Sequence, residues 1–298
     1  MKKRKNFDKR LRIQLFAAVL ANGYLLGFFK GKIFTGNTKQ LCVPVLNCYS
    51  CPGALGACPI GAMQAVLGGR KHNFTFYAVG MVILFGVLLG RLVCGFLCPF
   101  GLIQDLLYKL PVPKVKIAKK IDKPLRWTKY VIAAVMVIIL PIVLTNDFGI
   151  APPYFCQWLC PVGTLEGGIP LILTNKSLRA SLGFLFNWKM AILLVVVGGA
   201  MFVYRPFCKY FCPLGAFYSL FNKISFYKMN VDKLKCNGCR VCEQSCKMNI
   251  EITKSIDSLE CIRCGECKKV CKQGAITSGF PFASMCSDTE IKGEERSG

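Results

Sequence analysis

Eight cysteines concentrated in residues 236–271 restrict the folding of this chain more than any other stretch does. Cys236, Cys239, Cys242 and Cys246 follow the spacing C-x2-C-x2-C-x3-C, and Cys261, Cys264, Cys267 and Cys271 repeat it. Such short spacings let successive backbone amides point at a shared anion. In paired runs of this kind the first three cysteines of a run hold one 4Fe–4S cluster and the fourth holds the other. One cluster is therefore expected on Cys236, Cys239, Cys242 and Cys271, and its partner on Cys261, Cys264, Cys267 and Cys246. Gly238 and Gly265 supply backbone freedom to these loops. Lys247 and Lys272 stand where a proline is usual after the fourth cysteine; proline is no ligand, so its loss bears on rigidity and potential rather than on binding. The doubled spacing argues against structural zinc, and a reducing compartment argues against disulfides.

The rest of the chain is mostly apolar. Residues 13–29 are nearly uninterrupted, and residues 74–90, 130–146 and 190–204 carry no charge. Each is close to the shortest helix that spans a bilayer, roughly 17 to 20 residues. Four such segments predict a transmembrane bundle of about four helices. The first follows Lys2, Lys3, Arg4 and Lys5, but Arg12 and Gln14 interrupt its start and no small-x-small site follows, so a retained helix is expected rather than a cleaved signal peptide.

The formal net charge of +24 does not imply nucleic acid, because its distribution is that of membrane topology. Lys114, Lys116, Lys119, Lys120, Lys123 and Arg126 share one loop, and another basic group lies at the N-terminus. With residues 1–12 inside, residues 30–73 fall outside, 111–129 inside, 147–189 outside, and everything after 205 inside. Lys and Arg then sit where short cytoplasmic loops keep them. Bound clusters would offset part of the surplus, at about −2 each with four thiolates.

A Cys-Pro-x-Gly element occurs four times in the apolar region: Cys58-Pro59-Ile60-Gly61, Cys98-Pro99-Phe100-Gly101, Cys160-Pro161-Val162-Gly163 and Cys212-Pro213-Leu214-Gly215. The last three have another cysteine four residues earlier, at Cys94, Cys156 and Cys208, whereas the first has Cys51 seven residues earlier. Proline at the first helical position loses no intrahelical donor, so the preceding cysteine caps a helix whose N-terminus favours an anion. By topology, Cys94, Cys98, Cys208 and Cys212 fall together at the inner face as one cluster set. Arg91 and Arg205 each stand three residues before a pair, placed to offset cluster charge. Cys51, Cys58, Cys156 and Cys160 fall at the outer face as a second set. Cys42 and Cys48 compete there as ligands or as a disulfide, and Cys286 has no evident partner.

The expected organisation is a basic cytoplasmic segment (1–12), a polytopic membrane domain with two pseudo-repeats (13–225), a two-cluster ferredoxin domain (226–286) and a polar tail (287–298). The fold class is a mainly α membrane protein with short half-helices after its C-P-x-G motifs, plus a C-terminal ferredoxin-like α+β domain.

The chain resembles the NapH-type polytopic membrane ferredoxins, relatives of the iron–sulfur regions of NosR-type and CcoG-type proteins. The matching residues are Gly90-Arg91 with Cys94, Cys98 to Gly101, Gln104-Asp105, Cys156 to Gly163, Cys208 to Gly215 and both ferredoxin runs. Asn47-Cys48-Tyr49-Ser50-Cys51-Pro52-Gly53-Ala54 looks like a subgroup of 4Fe–4S binding proteins. The resemblance covers residues 12–277 and implies electron transfer in a prokaryotic cell (inner) membrane, often with the quinone pool, inside a larger redox system. Redox proteins, the lipid bilayer and quinone are the expected partners, and nucleic acid is not. Two alternatives are a reductase of an external metal or disulfide through Cys42 and Cys48, and a non-enzymatic assembly or anchoring subunit. His72, Asp105, Asp147 and Glu166 are the protonatable groups near a quinone site, but none is assigned a catalytic role. The sequence contains no haem, flavin or Walker signature.

Overall fold

The computed structural model describes residues 5–69, 75–146, 150–180 and 182–280. His72, Asp147, Cys286 and the 287–298 tail lie outside the described residues. Helices dominate, and each Cys-Pro-x-Gly element starts one as expected. Cys58, Cys98 and Cys212 cap the helices Pro59–Leu67, Pro99–Leu107 and Pro213–Phe221 from extended backbone, with proline in the first turn. Cys160 precedes a helical stretch that includes a π-helical Gly163–Gly168. The preceding cysteines lie on one-turn helices: Cys94 in Leu92–Phe96, Cys156 in Tyr154–Trp158 and Cys208 in Pro206–Tyr210.

Two helices are long and apolar enough to cross a membrane, Lys119–Val143 and Phe184–Phe202. Both are mostly exposed along their apolar windows, unlike core helices of a soluble protein. Thr75–Leu89 has 15 residues, about 22 Å at 1.5 Å per residue, which is short of a hydrocarbon core of about 30 Å. Two boundaries differ from the sequence reading. The 13–29 segment is not one helix: Lys5–Ala21 ends and a separate Leu26–Lys30 turn follows. The 51–57 loop wedges there, with Leu55 N–H donating to Ala21 O and Tyr24 N–H to Gly53 O. The third helix begins at Lys119, inside the expected basic loop, where Asp122 and Lys129 are buried against the rest of the protein while Lys119, Lys120 and Lys123 stay exposed.

The C-terminal module is the expected α+β unit. Strands Lys228–Val231 and Ile276–Gly279 pair antiparallel, with Lys228 opposite Gly279, and the short helices Val241–Ser245 and Glu266–Val270 lie between them in sequence. The module sits on the end of the helical domain that also carries the basic segments. Lys116 Nζ donates to Gln244 O at 2.9 Å, Lys119 pairs with Glu251 at 2.7 Å, and Arg126 donates to Met248 O at 3.0 Å. One apolar core runs through the helical domain and contains Cys58, Cys94, Cys98, Cys160 and Cys212.

Candidate iron–sulfur sites

In the ferredoxin module, Cys236, Cys239, Cys242 and Cys271 line one cavity of about 230 Å³. That is several times the roughly 30 Å³ of one water. The thiols of Cys246, Cys261, Cys264 and Cys267 form a second group in mutual electrostatic contact. Gly238 (φ +72°) and Gly265 (φ +76°) are left-handed, and so are Arg240 (φ +54°) and Arg263 (φ +53°). The two runs thus share one backbone path, left-handed two and four residues after the first cysteine, with glycine at only one position in each. Burial pushes the Cys261 and Cys267 thiols up to about 12. Metal ligation removes those protons, because the thiolate is the ligand.

Cys94, Cys98, Cys208 and Cys212 line a second, tighter cage of about 10 Å³ beneath Val45, Leu46 and Leu214. Arg91 and Arg205 are fully buried beside it and cross over. Arg91 Nη2 donates to Cys208 O at 3.1 Å, and Arg205 Nη1 donates to Cys94 O at 2.6 Å. Each guanidinium therefore serves the cysteine pair of the other repeat. Gln104 Nε2 donates to Cys208 Sγ at 3.1 Å, and Gly215 N–H donates to Cys212 Sγ at 3.3 Å. Asp105 takes both Arg205 nitrogens, Nε at 2.7 Å and Nη2 at 2.6 Å, together with Arg10 Nη2 at 2.7 Å. Burial alone would raise the Asp105 carboxyl, but Arg205 and Arg10 hold it below its ordinary value. The N-terminal helix thereby becomes part of the site, since Arg10 Nε and Gln14 Nε2 also donate to Gly95 O at 3.2 and 3.1 Å.

The ferredoxin module closes directly over this cage. A Cβ on Gly95, next to Cys94, would lie 2.4 Å from Ile262 O, next to Cys261, so only glycine allows that approach. Asn222 Nδ2 donates to Cys261 O at 2.8 Å, and Arg263 donates to Leu89 O at 2.8 Å and Asn222 O at 2.7 Å. Glu260 is buried between Arg91 at 2.8 Å and Lys129 at 2.5 Å. Lys247, in the position usual for proline, lies 5.4 Å from the Tyr204 ring centre and 5.8 Å from that of Tyr108.

The outer set is less regular. Cys58, Cys156 and Cys160 come together: a Cβ on Gly61 would lie 4.0 Å from Cys156 Sγ, and Cys160 has Cys156 and Cys58 as electrostatic neighbours. Gln64 Nε2 donates to Cys156 Sγ at 3.4 Å. Cys51 turns elsewhere, its thiol donating to Asn22 Oδ1 at 3.5 Å, while Cys48 lies against the Cys160 loop. Cys42 is buried in a bridge with Ala57, and all eighteen described cysteines are free thiols, so no Cys42–Cys48 disulfide forms here. Nor do the two membrane sets stand a membrane's thickness apart, as opposite-face placement implies. They share one core, and the buried Tyr218, whose hydroxyl donates to Pro44 O at 2.8 Å, has both Cys94, Cys98 and Cys212 of the inner set and Cys58 of the outer set as electrostatic neighbours.

Sets of four cysteines are the donors that 4Fe–4S clusters take. Among the described residues no three His, Cys, Asp or Glu side chains converge closely enough to hold one metal ion. A zinc site needs its sulfurs about 2.3 Å from one centre. Sequence reasoning missed Glu260, Lys129 and the cross-over of the arginines. The glutamines were readable, since Gln64 and Gln104 each stand six residues after a capping cysteine.

Comparison with known proteins agrees. A 4Fe–4S binding domain model matches residues 56–77, 74–118, 130–172 and 188–231, together about half of the chain, and a second 4Fe–4S binding domain model matches 254–277. Two uncharacterized proteins of Methanocaldococcus jannaschii are similar. MJ0750 is 34% identical over 183 residues, covering 59% of this chain and 66% of the relative. MJ0749 is 32% identical over 203 residues, covering 66% and 68%. The regulatory protein NosR of Pseudomonas aeruginosa is 27% identical over 163 residues, covering 52% of this chain and 20% of NosR. The chain thus spans about two thirds of the archaeal relatives and a fifth of NosR. No solved structure matches. Cysteine cages of this kind define an iron–sulfur protein of electron transport. More narrowly, the chain belongs to the NapH/NosR-like 4Fe–4S family.

Proposed function

We propose that this protein is a membrane-embedded electron relay with four 4Fe–4S clusters, two in the ferredoxin module and two in the helical domain. One observation carries the reading: the backbone beside Cys94 touches the backbone beside Cys261, through Gly95 and Ile262. A ferredoxin cluster and the inner membrane cluster would then be neighbours. The shared core extends the series to the outer cysteines without a gap of about 30 Å, the thickness of the hydrocarbon core.

The chain's own residues do the positioning. Cysteine-capped helix N-termini favour the anionic clusters. Arg91 and Arg205 offset charge at the inner cage, and aliphatic side chains keep water out. The clusters, when bound, supply one-electron chemistry.

The supported topology has the N-terminal segment, the 109–118 loop and the ferredoxin module on the cytoplasmic side. The two long helices, Lys119–Val143 and Phe184–Phe202, cross, and the shorter Lys5–Ala21 and Thr75–Leu89 are embedded beside them. Their outward apolar side chains favour lipid, with Phe16 67%, Phe76 84% and Val195 74% exposed. A cytoplasmic redox protein would meet the module near the exposed Cys239, and a membrane quinone or an external acceptor would meet the other end.

The test uses purified protein in sealed liposomes enclosing ferricyanide, with dithionite outside. Vesicles with the ferredoxin module outward should reduce the enclosed ferricyanide faster than protein-free vesicles. Clusters that bleach with dithionite while the enclosed ferricyanide stays oxidised at the protein-free rate would sink the relay and favour a structural role.

A further inference from the structure

The outer cage needs a fourth sulfur, and the repeat offers two candidates in one loop. Spacing favours Cys51, which precedes Cys58 by seven residues and is followed by Pro52, whereas Cys48 precedes Cys58 by ten. The folded geometry favours the other.

The inner cage provides the template. Gln104, six residues after Cys98, donates to Cys208 Sγ at 3.1 Å; Gln64, six residues after Cys58, donates to Cys156 Sγ at 3.4 Å. These matching bonds equate Cys58 with Cys98, Cys156 with Cys208 and Cys160 with Cys212. The sulfur left to find is the counterpart of Cys94. Cys48 Sγ lies 3.7 Å from where a Cβ on Gly163 would stand, inside the Cys160-Pro161-Val162-Gly163 turn. Cys48 and Cys156 are also electrostatic neighbours of Cys160. Its backbone is clamped there, because Cys48 N–H donates at 3.0 Å to Glu166 Oε2, six residues after Cys160 on the helix that Cys160 caps. A cation completes the likeness: Lys189 Nζ donates to Cys156 O at 3.2 Å and lies 3.8 Å from the same Gly163 Cβ position. It thus stands to Cys156 as Arg91 stands to Cys208.

Cys51 has another task. Its N–H closes the turn back to Cys48 O at 3.1 Å, and its buried thiol donates to Asn22 Oδ1 at the end of the N-terminal helix. Turning it toward Cys160 would break that bond.

Resting on the four-cluster reading above, we infer that the outer 4Fe–4S cluster is held by Cys48, Cys58, Cys156 and Cys160, and that Cys51 is a structural thiol. Cys48 binds as the thiolate and releases its proton on ligation.

Full-length protein and its Cys48→Ser and Cys51→Ala variants, purified anaerobically, decide the matter by iron and sulfide content with EPR of the reduced state. The wild type should hold about sixteen iron atoms per chain, four for each of four clusters. Cys51→Ala should keep them all with an unchanged spectrum. Cys48→Ser should lose about four, or keep them with one altered cluster signal from an oxygen ligand. Loss of the outer cluster in Cys51→Ala, or an unchanged Cys48→Ser, would overturn the assignment. Should Cys48→Ser not accumulate, Cys51→Ala alone remains decisive. A wild type lacking the outer cluster overturns the four-cluster reading itself, a failure distinct from a loaded wild type whose ligand is Cys51.

Discussion

The inner and outer cysteine cages begin from the same Cys-Pro-x-Gly turn and end in different surroundings. The inner cage is nearly two-fold: two C-x3-C-P-x-G elements, two buried arginines crossing between them, and a roof formed by the ferredoxin module. The outer cage has one such element, one lysine, one half-buried glutamate and an irregular loop in place of the second pair. A capped helix N-terminus is thus enough to place a cysteine, while the residues around it set the charge. Reduction adds negative charge to a cluster; around the inner cage Arg10, Arg91, Arg205 and Lys129 outnumber Asp105 and Glu260, whereas Lys189 stands against Glu166 at the outer one, so the reduced inner cluster is favoured more. The inner cluster should therefore have the higher potential.

The largest effect expected from breaking this contrast is at the roof. Glu260→Ala leaves Arg91 and Lys129 buried without their carboxylate, and breaking a buried pair costs about 3–5 kcal/mol. Thermal unfolding should fall accordingly, and limited proteolysis should release the ferredoxin module while the outer cluster signal persists. Gly95→Val acts at the same contact by overlap with Ile262 O; overpacking costs about 1–3 kcal/mol. Magnetic coupling between the ferredoxin and inner clusters should weaken in its EPR spectrum, with cluster content unchanged.

Smaller effects sharpen the comparison. Gln104→Leu and Gln64→Leu each remove one N–H···S bond, which stabilises the reduced cluster. At a net 0.5–1.5 kcal/mol per bond, each potential should drop by roughly 20–60 mV, the first at the inner cluster and the second at the outer. Redox titration followed by EPR reads both, and a shift at the wrong cluster would undo the pairing of the repeats. The smallest effect is the pH dependence carried by Asp105. Its folded pKa lies below the ordinary 3.8, so its ion pairs contribute fully above that value and are lost as pH falls through the depressed one. The stability gap between wild type and Asp105→Asn should be constant from about pH 5 to 8 and shrink below about pH 4.

Much of this was legible in the sequence because its signals are local. The ferredoxin runs, the helix starts at Pro59, Pro99, Pro161 and Pro213, and the grouping of Cys94, Cys98, Cys208 and Cys212 follow from spacing and sidedness alone. What escaped depends on long-range placement. The helix from Lys119 reads as a basic loop until Asp122 meets Lys209 at 2.6 Å and Lys129 meets Glu260. The 13–29 run reads as one helix until the 51–57 loop takes its backbone groups at Ala21. Topology counts crossings but not depth, so it separates two cages that fold into one core. Cys51 reads as the ligand because it precedes a proline, while the structure sets Cys48 Sγ beside the Gly163 turn.

The central claim is that the helical domain binds clusters of its own. Anaerobic iron and sulfide quantitation with EPR, on wild type, Cys98→Ser and Cys160→Ser, tests it most directly. The wild type should hold about sixteen iron atoms and each variant should lose about four, from different EPR signals. A wild type with about eight iron atoms, unchanged in both variants, would confine the clusters to the ferredoxin module and contradict it.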